Sequence, residues 1–298
     1  MRSAHGVRPG RPDDLPAIAE FTHETFTWGD YVADAFLRWL EDPDSLVLVA
    51  TVAEDRPIGL GRAVMLSANE AWLHGARVHP DHRRTGVGST LNDALLAWAA
   101  TRGAIVARLL IEEWNEGAQR QVEALGYRKV TGWTSATLSV GGEVDPLTNG
   151  GKRVPGDERL GPGSRAEIDP AWIAWLSSDS AAAGRQLFPV GWHFRKMTRH
   201  DIEAAARAGA LWHSPSGWVI ATPDDDQLLV PWVATSDLDI DRLLRALVDR
   251  AERLRVERIR IMVPRTSWME DALMRAGWAT QPMSVWAKGI EPQGTAPR

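Results

Sequence analysis

The amino-acid sequence predicts a mixed α/β protein built from two similar halves. Apolar runs of strand length alternate with stretches whose apolar residues recur at helical spacing. A segment rich in glycine and proline, residues 141–164, lies near the middle of the chain, where such a composition indicates a linker. Gly126 and Gly277, each followed by an aromatic residue, are 151 positions apart, which indicates an internal repeat. We therefore expect a first domain at 1–140, the linker at 141–164 and a second domain at 165–298.

The first half begins with a strand, two helices and a hairpin. Asp13 or Asp14 can cap the first helix, and Pro43 follows the end of the second. A polar turn joins the two strands of the hairpin. The predicted bounds are 7–9 for the first strand, 13–26 and 31–41 for the helices, 45–52 and 58–66 for the hairpin, and 71–78 for the next strand.

The most informative stretch follows the strand at 71–78. It reads His79-Pro80-Asp81-His82-Arg83-Arg84-Thr85-Gly86-Val87-Gly88-Ser89, after which leucines recur at helical spacing. Glycines let the backbone approach a ligand and adopt positive φ. The first N–H groups of a helix have no partner inside it, and together with the helix dipole they suit phosphate. Arg83 and Arg84 add guanidinium groups that bind phosphate oxygens in pairs. The stretch therefore predicts a phosphate-binding turn between a strand and a helix.

This turn also carries a family resemblance. The motif is Val78-x-Pro80 and then Arg83-x-x-Gly86-x-Gly88, and its sequel is an apolar strand at 105–111, Asn115-x-x-Ala118 and Gly126-Tyr127. The motif resembles the acyl-CoA-binding signature of the GNAT (Gcn5-related N-acetyltransferase) family. The resemblance implies a mixed, splayed central sheet flanked by helices in each half. It also implies an acyltransferase that moves an acyl group from acetyl-CoA (coenzyme A) to the amine of a small molecule by direct attack. The residues that it implies for the coenzyme are Val78, His79, Arg83, Arg84, Thr85, Gly86, Val87, Gly88, Ser89 and Asn115.

His74 is the candidate general base. Alternation along the strand predicts that it shares a face with Val78, whose backbone N–H or that of its neighbour is the oxyanion donor in the family. Arylalkylamine acetyltransferases are similar to this chain in having histidine at this point, and histidine titrates near pH ~6.5, which suits a base at neutral pH. The alternative is that His74 is a hydrogen-bonded strand residue with no part in the chemistry.

Two residues after the next strand have more than one interpretation. Asn115 either binds the pantetheine arm or caps a helix. Glu113, or its neighbour Glu112, is a candidate carboxylate for deprotonating or binding the amine. The position that holds a tyrosine acid in the family is Val122, so the resemblance does not identify a general acid.

Trp28 and Tyr31 are the predicted substrate residues. They fall between the two early helices, which roof the acceptor site in the family. The alternative for Trp28 is that it packs under that roof. No metal site is expected, because the histidines at 74, 79 and 82 straddle a strand and a loop without an evident fourth ligand.

The second half keeps the order of elements but loses the glycine turn. At an offset of 152, Gly86 and Gly88 align with Leu238 and Ile240, and the surrounding segment, residues 234–239, holds two aspartates and no glycine or arginine. Phosphate would meet repulsion there. We therefore expect a degenerate second copy in a tandem arrangement, similar to that of mycothiol synthases. In those proteins the C-terminal copy is the active one, so this chain departs from their pattern.

Composition narrows the classes of function. The 298 residues carry a formal net charge of −5, which argues against a protein whose main partner is nucleic acid. The chain has no cysteine, which excludes disulfides, thiolate nucleophiles and Cys-bound zinc. No apolar signal region or membrane-length run is present, so we expect a cytoplasmic monomer or homodimer. Two alternatives stay open: an acyl-CoA sensor without turnover, and a transferase that uses aminoacyl-tRNA as its donor.

Overall fold

The computed structural model describes residues 5–23, 25, 29–141 and 158–291. Its helices are α1 (Leu15–Thr22), α2 (Val32–Glu41), α3 (Val87–Thr101), α4 (Glu116–Ala124), α5 (Ile168–Leu176), α6 (Asp179–Ala183), α7 (Arg199–Arg207), α8 (Ile240–Leu254) and α9 (Ser267–Arg275). Its strands are β1 (Gly6–Pro9), β2 (Ser45–Thr51), β3 (Pro57–Ser67), β4 (Glu70–Val78), β5 (Val106–Glu112), β6 (Arg128–Ser139), β7 (Gly161–Pro162), β8 (Leu187–Val190), β9 (His193–Lys196), β10 (Leu211–Ser214), β11 (Gly217–Asp224), β12 (Gln227–Ala234), β13 (Arg258–Pro264) and β14 (Ala279–Gly289). None of the helices in these ranges has the length and apolar character of a membrane span.

The chain forms two compact units that are discontinuous in sequence. The first comprises the residues up to Leu110, Gln119–Arg128 and the residues from Trp286, and the second comprises Ile111–Ala118 and Lys129–Val285. The last strand, β14, therefore begins in the second unit and ends in the first. In the first unit, the N–H of Ile290, just after β14, donates to Ile105 O at 2.9 Å.

Both halves of the chain have the same order of elements. The series β2-β3-β4-α3-β5-α4-β6 is followed later by β10-β11-β12-α8-β13-α9-β14. The strands β5 and β13 begin at residues 106 and 258, which agrees with an offset of 152. Yet β6, the last strand of the first half, pairs antiparallel with β13 in the second unit. The domain boundaries at 140 and 165 stay a prediction, and residues 142–157 of the predicted linker lie outside the described ranges.

The first unit is built on a sheet in the order β1-β2-β3-β4-β5, with helices on both faces. The strands β1 to β4 pair antiparallel in turn, and β4 pairs parallel with β5. Ile18 of α1 and Phe36 of α2 form a core with Leu60 on one face. The other face is covered by α3: a Cβ on Gly61 would lie 3.1 Å from Leu95 Cδ1, so glycine lets this helix approach the sheet.

A β-bulge interrupts β4. Leu60 and Arg62 are two positions apart on β3, but their partners on β4, Arg77 and His74, are three positions apart. One strand therefore has an extra residue, and Gly75 accommodates it with φ +67°. The bulge changes which side chains of β4 share a face.

The bulge corrects the prediction that His74 and Val78 lie on one face. Directly opposite residues of an antiparallel pair have their side chains on the same face. His74 lies opposite Arg62, on the face covered by α2. Val78 lies opposite Gly59, where an added Cβ would lie 2.9 Å from Val87 of α3. Simple alternation is wrong here because it assumes an unbroken strand.

The second unit contains strands in the order β6-β13-β12-β11-β10-β7, with β12 and β13 parallel and the other pairs antiparallel. Val219 and Ile220, neighbours on β11, point into two different cores. The first core includes Leu243 and Leu247 of α8, and the second includes Trp175 of α5. Helices thus cover both faces of this sheet too, and the predicted mixed α/β class is confirmed.

Candidate functional site

The turn between β4 and α3 has the backbone geometry that its glycines predict. After β4, the N–H of His79 donates to Ile58 O at 2.8 Å, which ties the turn to β3. A single 3₁₀ turn follows at Pro80–His82. Gly86 is the N-cap residue of α3 and has φ +95°, a conformation that residues with a Cβ rarely adopt. The backbone therefore requires glycine at this position.

Gly88 has a different reason to be glycine. It lies within the first turn of α3, where φ is helical, but a Cβ there would lie 3.0 Å from Nε2 of Gln121. A Cβ on Gly86, by contrast, would meet no heavy atom of the described residues within 4 Å. A side chain at position 86 would therefore project into the open space above the turn.

The start of α3 presents backbone N–H donors. The helix begins at Val87. Its N-cap residue is Gly86, which has no side chain that could accept these hydrogen bonds. The N–H groups of Val87, Gly88 and Ser89 have no acceptor within the helix, and that of Thr90 is the first to bond, to Gly86 O at 3.0 Å. The positive end of the helix dipole lies at the same place. These donors form a site for an anion, best suited to phosphate.

Arg83 and Arg84 add positive charge beside these donors. Both side chains are exposed, and within the described ranges neither forms an ion pair. Arg83 Nε donates to Val78 O at 3.3 Å, and Arg84 has φ +62°. The carboxylate in the turn, Asp81, has a side chain that is 85% exposed. Two guanidinium groups thus stay available for bidentate contacts with phosphate oxygens.

The remaining predicted residues of the turn stabilise its shape. His79 Nδ1 accepts the N–H of Asp81 at 3.2 Å, and the Thr85 hydroxyl donates to His82 O at 2.6 Å. Val87 is buried and anchors the start of α3 against the sheet, whereas Ser89 is exposed. The turn is therefore held in place without any of these contacts using the N–H groups of α3.

On the α2 face, a charged pair and a histidine surround one tryptophan. Arg62 forms an ion pair with Asp42, and its guanidinium lies 5.3 Å from the centroid of the Trp39 ring. Arg62 Nη1 lies 3.3 Å from Nε2 of His74. The His74 and Trp39 rings meet edge to face with centroids 5.0 Å apart. Since a guanidinium has donors only, His74 Nε2 is the acceptor in this contact, and the ring proton lies on Nδ1.

Arg62 is a buried cation. It is 7% exposed, and burial lowers its pKa, an effect that the neighbouring Asp42 carboxylate opposes. Its Nε has no hydrogen-bond partner within the described ranges. Burial and the two contacts of the guanidinium restrict its position, so Arg62 in turn orients the imidazole of His74.

Tyr31 adjoins this cluster, as its predicted place between the early helices implies. It precedes α2, is 44% exposed, and lies 5.9 Å from the Trp39 ring, centroid to centroid. The Arg77 guanidinium lies 5.8 Å from the Tyr31 centroid, and Arg77 Nε donates to Asp30 Oδ2 at 2.6 Å. Trp28, the other predicted substrate residue, lies outside the described residues.

Asn115 and Glu113 belong to the second unit, whereas the turn, His74 and Tyr31 belong to the first. Asn115 Oδ1 accepts the N–H of Ala118 at 3.1 Å, so this side chain caps α4, one of its two predicted roles. The Glu113 carboxylate accepts a hydrogen bond from Lys129 Nζ at 2.5 Å. A paired carboxylate suits charge balance better than proton abstraction.

Tyr127 is a core residue and is not placed to act as the general acid. It is fully buried, its hydroxyl donates to Asn92 Oδ1 at 3.0 Å, and burial raises its pKa well above the usual range. Val122, at the position of the family's tyrosine acid, cannot donate a proton. Tyr31 is the other tyrosine of the chain; its side chain is partly exposed, and its ring contacts Trp39 on the His74 side of the sheet.

Sequence reasoning missed Asp42, Arg62 and Trp39. A signal for Arg62 is present, because it is the one charged residue in the apolar run at 58–66. A charge in a strand that is otherwise buried needs a partner. The sequence does not indicate that the partner is Asp42, twenty positions earlier, since the pairing follows from the β2–β3 register and the end of α2.

The corresponding turn of the second unit is shorter and acidic. Five residues, 235–239, connect β12 to α8, whereas eight, 79–86, connect β4 to α3. The helices α3 and α8 begin at 87 and 240, so the N-cap residue that matches Gly86 is Asp239, and the offset of 152 that pairs Gly86 with Leu238 is wrong by one residue. Asp239 accepts a hydrogen bond from Ser236 and pairs with Arg242. This turn lacks the glycine and the arginines of the first.

Comparisons with known proteins agree with this geometry. Residues 15–127 match the model of the acetyltransferase (GNAT) family. Among solved structures, the chain is similar to a GCN5-related N-acetyltransferase from Sphaerobacter thermophilus, with 16% identity, a TM-score of 0.66 and coverage of 97% of this chain and 96% of that one. It is also similar to a tandem GNAT protein from the clavulanic acid biosynthesis pathway, with 15% identity, a TM-score of 0.59 and coverage of 98% and 100%. No curated protein matches the chain.

At these identities the solved structures establish the fold, and the family model covers the segment that contains α1 to α4 and the glycine turn. The signature predicted at 78–89 lies within the matched residues. Residues 15–127 of this chain therefore match the GNAT acetyltransferase family.

Proposed function

We propose that this chain is an acyl-CoA-dependent N-acyltransferase that moves an acyl group, in the first instance acetyl, from coenzyme A to the amine of a small molecule. The observation that carries the proposal is the start of α3. There a glycine at φ +95° precedes helix N–H groups that lack intrahelical acceptors, and two arginines outside any ion pair of the described residues adjoin them.

The residues of the turn fit the pyrophosphate of coenzyme A. The N–H groups of Val87, Gly88 and Ser89 would bind its oxygens, and Arg83 and Arg84 would balance its charge. The fit rests on the open space at Gly86, where an added side chain would occupy the volume above the amides. When bound, the donor would supply an activated thioester: the amine nitrogen would bond to the carbonyl carbon, the C–S bond would break, and coenzyme A would leave as a thiolate that takes a proton from water.

His74 is the proposed base for the amine. In the neutral tautomer that its contact with Arg62 favours, the Nε2 lone pair accepts the Arg62 N–H, so this hydrogen bond must open before Nε2 can take a proton from the amine. Tyr31 supplies exposed aromatic surface beside Trp39, which contacts His74, whereas Asp30 and Asp42 on the same face are already paired with Arg77 and Arg62. This surface suits an acceptor with an apolar body, whose amine His74 must deprotonate for attack.

The experiment is a thiol-release assay with acetyl-CoA and a panel of small primary amines. Because the chain has no cysteine, a thiol reagent detects only released coenzyme A. We expect release that depends on the amine and is lost in Gly86→Leu. Acetyl-CoA binding without release for any amine would contradict turnover and favour a sensor, whereas the absence of binding would contradict the donor assignment.

A further inference from the structure

The second unit contains a cleft beside the start of α8. This place corresponds to that of the glycine turn beside the start of α3 in the first unit. Its volume is about 390 Å³, within the ~300–1,000 Å³ of small-ligand sites. Its walls come from the β12–α8 turn, the β10–β11 turn and the starts of α6 and α9. The lining residues used below are Asp179, Ser216, Trp218, Asp237, Asp239 and Trp268.

The charge of the cleft is negative. Three aspartates line it, and among the described residues no lysine, arginine or histidine does. Asp239 is balanced by Arg242. Asp179 and Asp237 are exposed and form no ion pair in the described part of the chain. A phosphate would meet these carboxylates as like charges, whereas a cation would be attracted.

Aromatic faces complete the walls. Trp218 is held on two sides, because its Nε1 donates to Glu167 Oε2 at 2.9 Å and its ring stacks on His213 with centroids 5.0 Å apart. Trp268 is half-buried at the start of α9. Indole faces attract organic cations, and the attraction is strongest where water is displaced.

Ser216 adds a buried hydroxyl group that could accept a hydrogen bond from a ligand. It is 3% exposed, and its Oγ has no hydrogen-bond partner among the described residues. Its turn cannot move away easily, since Thr235 Oγ1 donates to Ser216 O at 2.7 Å and a Cβ on Gly217 would lie 2.2 Å from Ala234 O. A buried hydroxyl without a partner costs free energy that a ligand N–H can recover.

We propose that this cleft binds a small organic ammonium ion with an aromatic or alkyl body. The carboxylates attract its charge, Trp218 and Trp268 contact its body, and the Ser216 hydroxyl, which is enclosed in the ligand-free fold, turns about χ1 to accept one of its N–H groups. The proposal goes beyond the acyltransferase and is independent of it, because all of these contacts lie in the second unit and none needs acyl-CoA.

The test is calorimetric titration of the full chain with benzylammonium in the absence of acyl-CoA. Benzyl alcohol and benzoate serve as the neutral and anionic comparisons, and both should bind more weakly. Asp237→Asn and Trp268→Leu should each weaken benzylammonium about fivefold. Asp225→Asn is the matched control: it lies in the β11–β12 turn at φ +49°, which asparagine tolerates, and it does not line the cleft. Its affinity should equal that of the wild type.

A second pair of measurements isolates Ser216. Ser216→Ala should weaken benzylammonium but leave benzyltrimethylammonium, which has no N–H, unchanged. The same variant should keep or raise the melting temperature, because it removes a hydroxyl that has no hydrogen-bond partner among the described residues. Since Asp237 is exposed, its substitution keeps the test valid even if Trp268→Leu fails to fold. Equal binding of benzylammonium and benzyl alcohol, or wild-type affinity in Asp237→Asn, would overturn the proposal.

Discussion

Arg62 Nη1 and His74 Nε2 lie 3.3 Å apart on the α2 face of the first unit, and Trp39 contacts both side chains. The guanidinium can only donate, so it selects the histidine tautomer with its proton on Nδ1. Arg62 is itself restricted by burial and by Asp42. We therefore assign Arg62 a positioning role for the proposed base.

A double-mutant cycle tests this relationship. His74→Ala should lower kcat by ~10²–10⁴-fold and change acetyl-CoA affinity by less than about twofold, because it removes a proton acceptor and no coenzyme contact. Arg62→Met, which keeps the buried volume, should lower kcat less, and the double variant should resemble His74→Ala alone. Arg62→Lys keeps the charge but loses the planar fork, so it should restore little activity.

Additive losses in that cycle would show that Arg62 acts through the fold and not through His74. A His74→Ala variant with normal kcat would remove His74 from the chemistry altogether. Melting temperatures of all four proteins serve as the control, since a purely structural role of Arg62 would change them in parallel with kcat.

The bulge at Gly75 predicts a stability effect. Gly75 has φ +67°, and a Cβ there would lie 2.8 Å from Cη2 of Trp39. Gly75→Ala should therefore destabilise the protein by about 1–3 kcal/mol, measured as a shift of the urea midpoint. Trp39→Phe in the same chain should recover the part that is due to overlap but not the part due to φ. An unchanged midpoint in Gly75→Ala would contradict the bulge.

The bulge also marks the limit of what the sequence could predict. The hydrophobic periodicity and the glycines of the turn were sufficient to predict the strand, turn and helix around Gly86, because those signals are local. The face of His74 was not predictable, since one extra residue in β4 reverses the alternation and nothing near Gly75 signals it more strongly than any other glycine. The pairing of β6 with β13 was equally out of reach, because register between distant strands is set by the whole sheet.

The two arginines of the turn predict selective loss of phosphate binding. Arg83→Gln and Arg84→Gln should each weaken coenzyme A about tenfold, which corresponds to ~1.4 kcal/mol. Neither should weaken S-acetylpantetheine, which lacks the phosphates. Arg102→Gln, at the opposite end of α3, is the matched control. The affinities for both ligands are measured by calorimetry. An equal loss of affinity for S-acetylpantetheine would refute phosphate contact by these arginines.

Asp201 predicts a pH dependence of stability in the second unit. Burial raises the pKa of this carboxyl, but hydrogen bonds from Arg195 and from the N–H of Thr198 outweigh it and hold the pKa below the ordinary 3.8. The folded state thus favours the carboxylate, so its contribution is present above pH 3.8 and is lost as pH falls through the lower folded pKa. Asp201→Asn should cost about 1–2 kcal/mol at pH 7. The difference in melting temperature between variant and wild type should stay constant from pH 7 to about pH 4 and shrink below that, and a difference that stays constant down to pH 2 would contradict the assignment.

The most direct test of the central claim, that the Gly86 turn binds acyl-CoA, is the stoichiometry of acetyl-CoA binding by calorimetry. The first turn offers glycine, arginines and N–H donors, and the second offers Asp239 at the matching N-cap. We expect one site per chain, and a loss of at least about a hundredfold, ~2.8 kcal/mol, in Gly86→Leu. Gly277→Leu is the matched control, because that glycine also has positive φ, +76°, and open space around its Cβ. It should bind as the wild type does. Two equivalent sites per chain, or unchanged affinity in Gly86→Leu, would contradict the account.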